Sequence, residues 1–399
     1  MPEAVIVSTA RTPIGRAVKG SLVDARPDDM SGFIITEVLA KVGLSGALVE
    51  DVIWGCAQPA GEAGFNIARV AGLLAGLEAP GVTVNRYCSS SLQAIRMASH
   101  AVRAGEGDVF VAGGVEAVSR FQFGAADRGP HNDKFADAEA HSAERAQGED
   151  GAWVPAKGLP DIYIAMGQTA ENVAELKKVS RERQDEFACL SQNRAERSLD
   201  RGFFEREISP YTLPSGTVVS TDDGIRAGTT VDALAKLKPV FKPNGTVTAG
   251  NACPLNDGAA AVVVMSDTKA AELGLRPLAR IVSSAATAVN PEIMGLGPVD
   301  AIRLALSRAN KTVQDIDLFE INEAFAAQVV PSADELGIPL DRLNVNGGAI
   351  AIGHPFGMTG ARIMTTLLNG LDDADKEWGV ESMCVGGGQG MAMVVQRLR

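Results

Sequence analysis

The chain has 399 residues, 46% hydrophobic and 22% charged, which is the balance of an ordinary globular protein and too long for one small core. With 49 acidic against 37 basic side chains the net charge is −12, which argues against a nucleic-acid or acidic-membrane surface and means that an anionic ligand is met by local basic groups or helix N-termini. The five cysteines (Cys56, Cys88, Cys189, Cys253, Cys384) are scattered without a C-x-x-C pair, so neither a disulfide framework nor a zinc site is expected. A start without an apolar leader, and no run of 18 apolar residues, give a cytoplasmic expectation with no membrane contact.

In chain order, residues 4–8 read as a buried strand that Arg11-Thr-Pro-Ile-Gly15 breaks. Asp29 is placed to cap a helix through Ile34, Ile35, Val38 and Leu39, closing before Gly43. A strand at 52–54, a helix at 66–77, a strand at 82–84, a helix following Cys88 and a strand at 108–112 ended by Gly113-Gly114 come next. Strands alternating with long helices predict a mostly parallel sheet covered on both faces. Residues 127–160 are polar and Gly/Pro-bearing, helices are expected at 168–176 and 181–200, and 213–228 is turn-rich. The stretch 121–248 therefore reads as an insertion over the core, a usual place for substrate-selecting loops.

After the alternating strand at 259–265 the order repeats: a strand at 279–283, a helix at 300–309, a strand at 318–321, a helix from Glu323, a strand at 343–345, a helix from Thr359, and strands at 382–385 and 391–395. Two similar βαβαβ-type α/β halves, with a cleft where their strand ends meet, are the expectation. Three domains follow: 1–120 plus 249–275, an inserted loop domain at 121–248, and 276–399.

Cys88 stands at a strand-to-helix junction, where unpaired N–H groups and the helix dipole favour thiolate, although a small buried cysteine is the plainer alternative. Three later segments put reactive side chains on glycine-rich turns after predicted strands: Asn322-Glu-Ala-Phe325, Gly347-Gly-Ala-Ile-Ala-Ile-Gly-His354-Pro, and Cys384-Val-Gly386-Gly-Gly388. Of four histidines, His100, His131 and His141 lie on a helix or in the polar insertion, leaving His354 as the candidate base. Two thiols, one imidazole and one carboxamide are the inventory for acyl transfer to and from sulfur. For Cys384 alone, packing at a strand end is an equal alternative.

Taken with Gly113-Gly-Val-Glu116-Ala-Val-Ser119 and Thr248-Ala-Gly-Asn-Ala-Cys-Pro-Leu-Asn-Asp-Gly258, these segments resemble the thiolase family in order and spacing, almost from end to end and least in 121–160. The resemblance implies the five-layer αβαβα thiolase fold and a reversible Claisen condensation of acyl-CoA with acetyl-CoA, of the kind met in fatty acid metabolism. It implies Cys88 as the acyl acceptor, His354 as its base, Cys384 as acid/base at carbon, one oxyanion held by His354 and a water on Asn322, and another by the N–H groups of Cys88 and Gly386. No tightly bound cofactor is implied, since coenzyme A thioesters are the substrates, and a homodimer or homotetramer is. Met166 and Met294 match acyl-pocket methionines, although flexible methionine also serves as core filler. Arg226 matches a contact to the adenine end, whereas Ala165 stands where acetoacetyl-CoA-forming relatives often have histidine, and Ala233 and Cys253 stand where those relatives have serine. A decarboxylating ketosynthase, which would need two histidines around the thiol, and a catalytically silent acyl-CoA-binding relative are the competing readings.

Overall fold

The computed structural model describes residues 2–123, 125–148, 151–155 and 157–398; residues 149, 150 and 156 of the polar stretch fall outside it. The strands that matter are β1 (Ala4–Arg11), β2 (Asp51–Gly55), β3 (Gly81–Val84), β4 (Val109–Ala117), β5 (Asn256–Ser266), β6 (Ala279–Ala288), β7 (Leu318–Ile321), β8 (Trp378–Val385) and β9 (Gln389–Arg397). The longer helices are α1 (Pro27–Ala40), α2 (Ile67–Leu74), α3 (Ser90–Ala104), α4 (Ala136–Ala146), α5 (Met166–Lys177), α6 (Arg181–Asp200), α7 (Gly297–Arg308), α8 (Ala326–Leu336) and α9 (Thr359–Asp373).

Pairing runs β7-β8-β9-β6-β1-β5-β4-β2-β3, and within the sheet the two halves join where Val5 and Ile6 of β1 face Arg280 and Ala279 of β6. Outward from that seam both halves follow one rule. β5 and β9 run antiparallel to both of their neighbours, whereas β2, β3 and β4, like β7 and β8, run parallel. The sheet is thus mixed rather than mostly parallel, because β5 and β9 each come back antiparallel beside the strand that precedes them. In the second half that return is the three-residue turn Gly386–Gly388; in the first it is the long excursion from Val118 to Leu255.

Side chains alternate along the strands and so sort into layers. Phe110, Ala112, Val262, Val264, Met391 and Met393 point inward, onto Leu92, Ile95 and Ala98 of α3 and Met364 and Leu367 of α9. Val111, Val263 and Met265 point outward beneath α1 and α2, and Ala392 and Val394 beneath α7 and α8. The order is helix pair, sheet, the α3–α9 pair, sheet, helix pair, which is the five-layer αβαβα arrangement.

Several expectations are corrected. β1 runs on to Arg11, whose backbone pairs with Ala260 and whose buried guanidinium is held by Glu207 and Asp222, each at 2.8 Å. Helix α1 starts at Pro27 after Arg26; Asp29 lies in its first turn and does not cap it. Gly113 and Gly114 do not end β4. They lie inside it, because a Cβ there would stand 2.3 Å from the Ala260 carbonyl oxygen or 2.1 Å from that of Gly357. The strand at 343–345 reduces to one bridge between Leu343 and Phe319, and α8 starts at Ala326 rather than Glu323.

Candidate active site

Three of the four reactive side chains sit where a strand of the parallel set ends. Cys88 follows β3 in the single turn Tyr87–Ser89, entered through Tyr87 at φ +43°, a left-handed conformation uncommon for an aromatic residue. Asn322 directly follows β7, its N–H donating to Ser382 O at 2.9 Å, and Cys384 is next to last in neighbouring β8. His354 lies between the turn Ala349–Ile352 and α9, after Gly353 at φ +116°, where a Cβ would come within 2.7 Å of Ile14.

The α3–α9 pair brings these turns together. A Cβ on Gly360 would lie 2.3 Å from the Leu92 nitrogen, and the Ala361 N–H donates to Ser91 Oγ at 3.0 Å. Two helix N-termini thus stand side by side, with Cys88 just ahead of one and His354 just ahead of the other, and their dipoles favour negative charge in the space between.

Half-buried Cys88 has its Sγ against the N–H of Gly386 and its own N–H. Burial outweighs those donors and pushes the thiol up to about 11, so at neutral pH it is a thiol, and the thiolate expected from the dipole alone is not the resting form. Burial, and then the charge of Arg362, lower His354 to about 3, leaving a neutral imidazole. Cys384 is fully buried and raised by burial and by the neighbouring sulfurs of Cys88 and Cys253. Cys88 and His354 are therefore both uncharged at rest.

His354 is gripped on three sides. Its N–H donates to Asn256 Oδ1 at 2.9 Å, its Nδ1 lies 2.6 Å from Thr359 Oγ1, and its Nε2 lies 3.3 Å from Asn322 Nδ2. The Asn322 side-chain oxygen is buried without a partner among the described residues. Beneath the site the Glu116 carboxylate accepts the N–H groups of Ala57, Gln58 and Gly357 at 2.9, 3.1 and 2.9 Å, tying the His354 loop to the end of β2. Burial raises this carboxyl to about 7 against the pull of those donors.

Sequence reasoning missed Asn256, Thr359 and Glu116 as supports, although Asn256 and Glu116 lie in motifs already quoted and Thr359 opens a helix already expected; a polar residue within an apolar run was the available signal. Cys384, Met294 and Phe325 share one apolar cluster with Met166 and Phe241, and Met166 Sδ is 3.8 Å from the Cβ position of Gly386. Beside the site lies a cleft of about 210 Å³ lined by Arg226, Phe241, Thr248, Gly250 and Cys253 among others, of which Phe241 packs on the Cys384 cluster and Cys253 neighbours Cys88. Arg226 stands exposed at this cleft. Ala233 does not line it: it is exposed on the short helix Val231–Ala235, its N–H facing Thr230 Oγ1. His100 is exposed on α3, His131 stacks on Tyr163, and His141 lies on α4, so the second histidine of a ketosynthase-like site is not supplied by any of them.

Residues 4–268 match the family described as Thiolase, N-terminal domain, and residues 275–397 match Thiolase, C-terminal domain. The chain is 43% identical to the 3-ketoacyl-CoA thiolase of Bacillus subtilis, over 99% of this chain and 100% of that one. It is 45% identical to the acetyl-CoA acetyltransferase of Cupriavidus necator over the full length of both. The crystal structure of the Bacillus anthracis acetyl-CoA acetyltransferase superposes with a TM-score of 0.87 at 38% identity, covering 100% of this chain and 99% of that one. Matches of this extent, on a fold whose strand ends gather two thiols, an imidazole and a carboxamide, mean that the chain belongs to the thiolase family and is an acyltransferase acting on coenzyme A thioesters.

Proposed function

We propose that Cys88 carries the acyl group, that His354 Nε2 takes its proton, and that Cys384 moves the proton at carbon. In the first half-reaction the Cys88 sulfur bonds to the thioester carbonyl carbon while its proton passes to His354; the C–S bond to coenzyme A then breaks and the leaving thiolate takes that proton. In the second, Cys384 passes its own proton to His354 Nε2 and, as thiolate, removes a proton from the methyl group of acetyl-CoA; the carbanion attacks the acyl-Cys88 carbonyl, the C–S bond to Cys88 breaks, and the Cys88 thiolate takes the His354 proton as 3-ketoacyl-CoA leaves, with Cys384 again a thiol. The N–H groups of Cys88 and Gly386 receive one oxyanion, and protonated His354 with a water on the free oxygen of Asn322 receives the other. Each such donor is worth about 3 to 4 kcal/mol of barrier.

The observation that carries this reading is the contact of Cys88 Sγ with the Gly386 N–H, on the very turn that follows Cys384. The test is mass spectrometry of the protein after brief incubation with acyl-CoA, which should find the acyl mass on Cys88 and none in Cys88→Ser. Full turnover by Cys88→Ser would overturn it.

The acyl chain is proposed to be short to medium, because Tyr87, Ile162 and Met166 crowd the Gly386–Gly387 turn, Ile162 Cδ1 lying 3.2 Å from the Cβ position of Gly387. Cleavage rates for acetoacetyl-CoA and a long 3-ketoacyl-CoA on one preparation decide this. Arg226 is the proposed partner of the nucleotide end of coenzyme A, and Cys253 and Thr248 of its pantetheine arm. The three-part division, 1–120 with 249–275, 121–248 and 276–399, is supported by the matching pairing rule of the two halves. A cytoplasmic location is supported by five free cysteines.

A further inference from the structure

We propose that Thr359 is a positioning residue for the acylation step: its hydroxyl fixes His354 in the tautomer whose Nε2 is bare and faces the thiol. Thr359 is fully buried at the first position of α9, and its Oγ1 is 2.7 Å from the Pro355 carbonyl oxygen and 2.6 Å from His354 Nδ1. A hydroxyl has one proton to give, and a carbonyl oxygen can only accept. The proton therefore goes to Pro355, and the short contact to the ring is satisfied only when Nδ1 carries a hydrogen and donates it to Thr359. Nε2 is then left with its lone pair, in agreement with the Asn322 amide at 3.3 Å, which can donate to it.

The choice of a hydroxyl has its own consequence. A carboxylate at this place would orient the ring equally well and would also stabilise imidazolium, creating an ion pair with Cys88 at rest. A neutral acceptor selects the tautomer without charging the ring, in keeping with burial and the nearby Arg362 guanidinium holding His354 neutral. The base is thus weak until the thiol attacks, and it surrenders its proton readily to the departing coenzyme A sulfur.

The inference rests on His354 being the base that acts on Cys88. The test is nitrogen NMR of protein labelled at its four histidines, with His354→Asn assigning the signal, alongside the single-turnover rate of Cys88 acylation. Wild type should carry its ring proton on Nδ1. Thr359→Val removes the acceptor at nearly constant shape, and should move the proton to Nε2 and slow acylation about 10- to 100-fold while changing KM little; Thr359→Ser should restore both. A wild-type ring protonated at Nε2 overturns the proposal, as does Thr359→Val acylating at the wild-type rate. Full turnover by His354→Asn would instead remove the base itself, and the proposal with it.

Discussion

Buried titratable groups at single positions set most of the expected behaviour. Because burial holds His354 near 3 and Cys88 near 11, neither changes charge between pH 5 and 8. Ring signals of His354 in a proton NMR titration should stay fixed over that window, and a midpoint near 6.5 would contradict the buried, Arg362-facing site. Glu116, near 7, does titrate there, so activity should fall on the acid side of neutrality as its carboxylate is protonated and its hold on Gly357 weakens. Deeper in the core, Glu320 and Glu381 face each other on neighbouring parallel strands; burial raises Glu320 to about 8 and Glu381 well above its ordinary 4.5, with Arg362 opposing. Both oxygens of Glu381 lack a partner among the described residues. The folded chain therefore keeps protons that the unfolded chain releases above 4.5, and the stability this gives is full below that pH and drains as pH climbs through 8. Glu381→Gln should raise Tm by several degrees at pH 8.5 and hardly at all at pH 5, which thermal unfolding at the two values measures.

For whole elements, the contact between the first turns of α3 and α9 carries the geometry of the site. Gly360→Ala inserts a methyl group where only 2.3 Å separates its Cβ from the Leu92 nitrogen, so the helices must part. A loss of about 1 to 3 kcal/mol in denaturant unfolding is expected, with a fall in kcat beyond what the unfolded fraction explains. What the sequence made legible follows the same division. Period-two and helical patterns place α6 and β7 to the residue, the strand-to-helix junction singles out Cys88, and the turns after predicted strands single out Asn322, His354 and Cys384. Gly113 and Gly114 misled because a glycine required for close backbone approach looks, in one dimension, like one required for a turn. The roles of Asn256 and Thr359 depend on what lies opposite them, and Ala233 was assigned by motif matching alone, which carries no information on where a surface helix faces.

Viewed whole, the molecule leaves one sheet edge uncovered. Strand β3 is only partly buried along its length, and beside it Phe65 is 97% exposed at φ +54°, with Leu73 and Leu74 of α2 exposed by 58% and 54%. An open edge strand next to apolar side chains calls for a cover, and a second copy pairing edge to edge is the proposed one. Leu73→Glu with Leu74→Glu should shift the protein to monomer in sedimentation equilibrium, and a wild-type monomer at micromolar concentration would defeat the proposal.

The return from β4 to β5 takes well over a hundred residues, whereas its counterpart between β8 and β9 takes three, so one half of a duplicated frame stayed compact as the other became a workshop. Cys88, His354, Cys384 and Asn322 all stand on the frame; Arg226, Met166 and Ile162 stand on the excursion. Substrate range can therefore drift in large part by rewriting one continuous passage of the chain, with Tyr87 and Cys253 of the frame unchanged, and a chimera carrying a relative's 121–248 should take on much of that relative's preference while keeping its own chemistry.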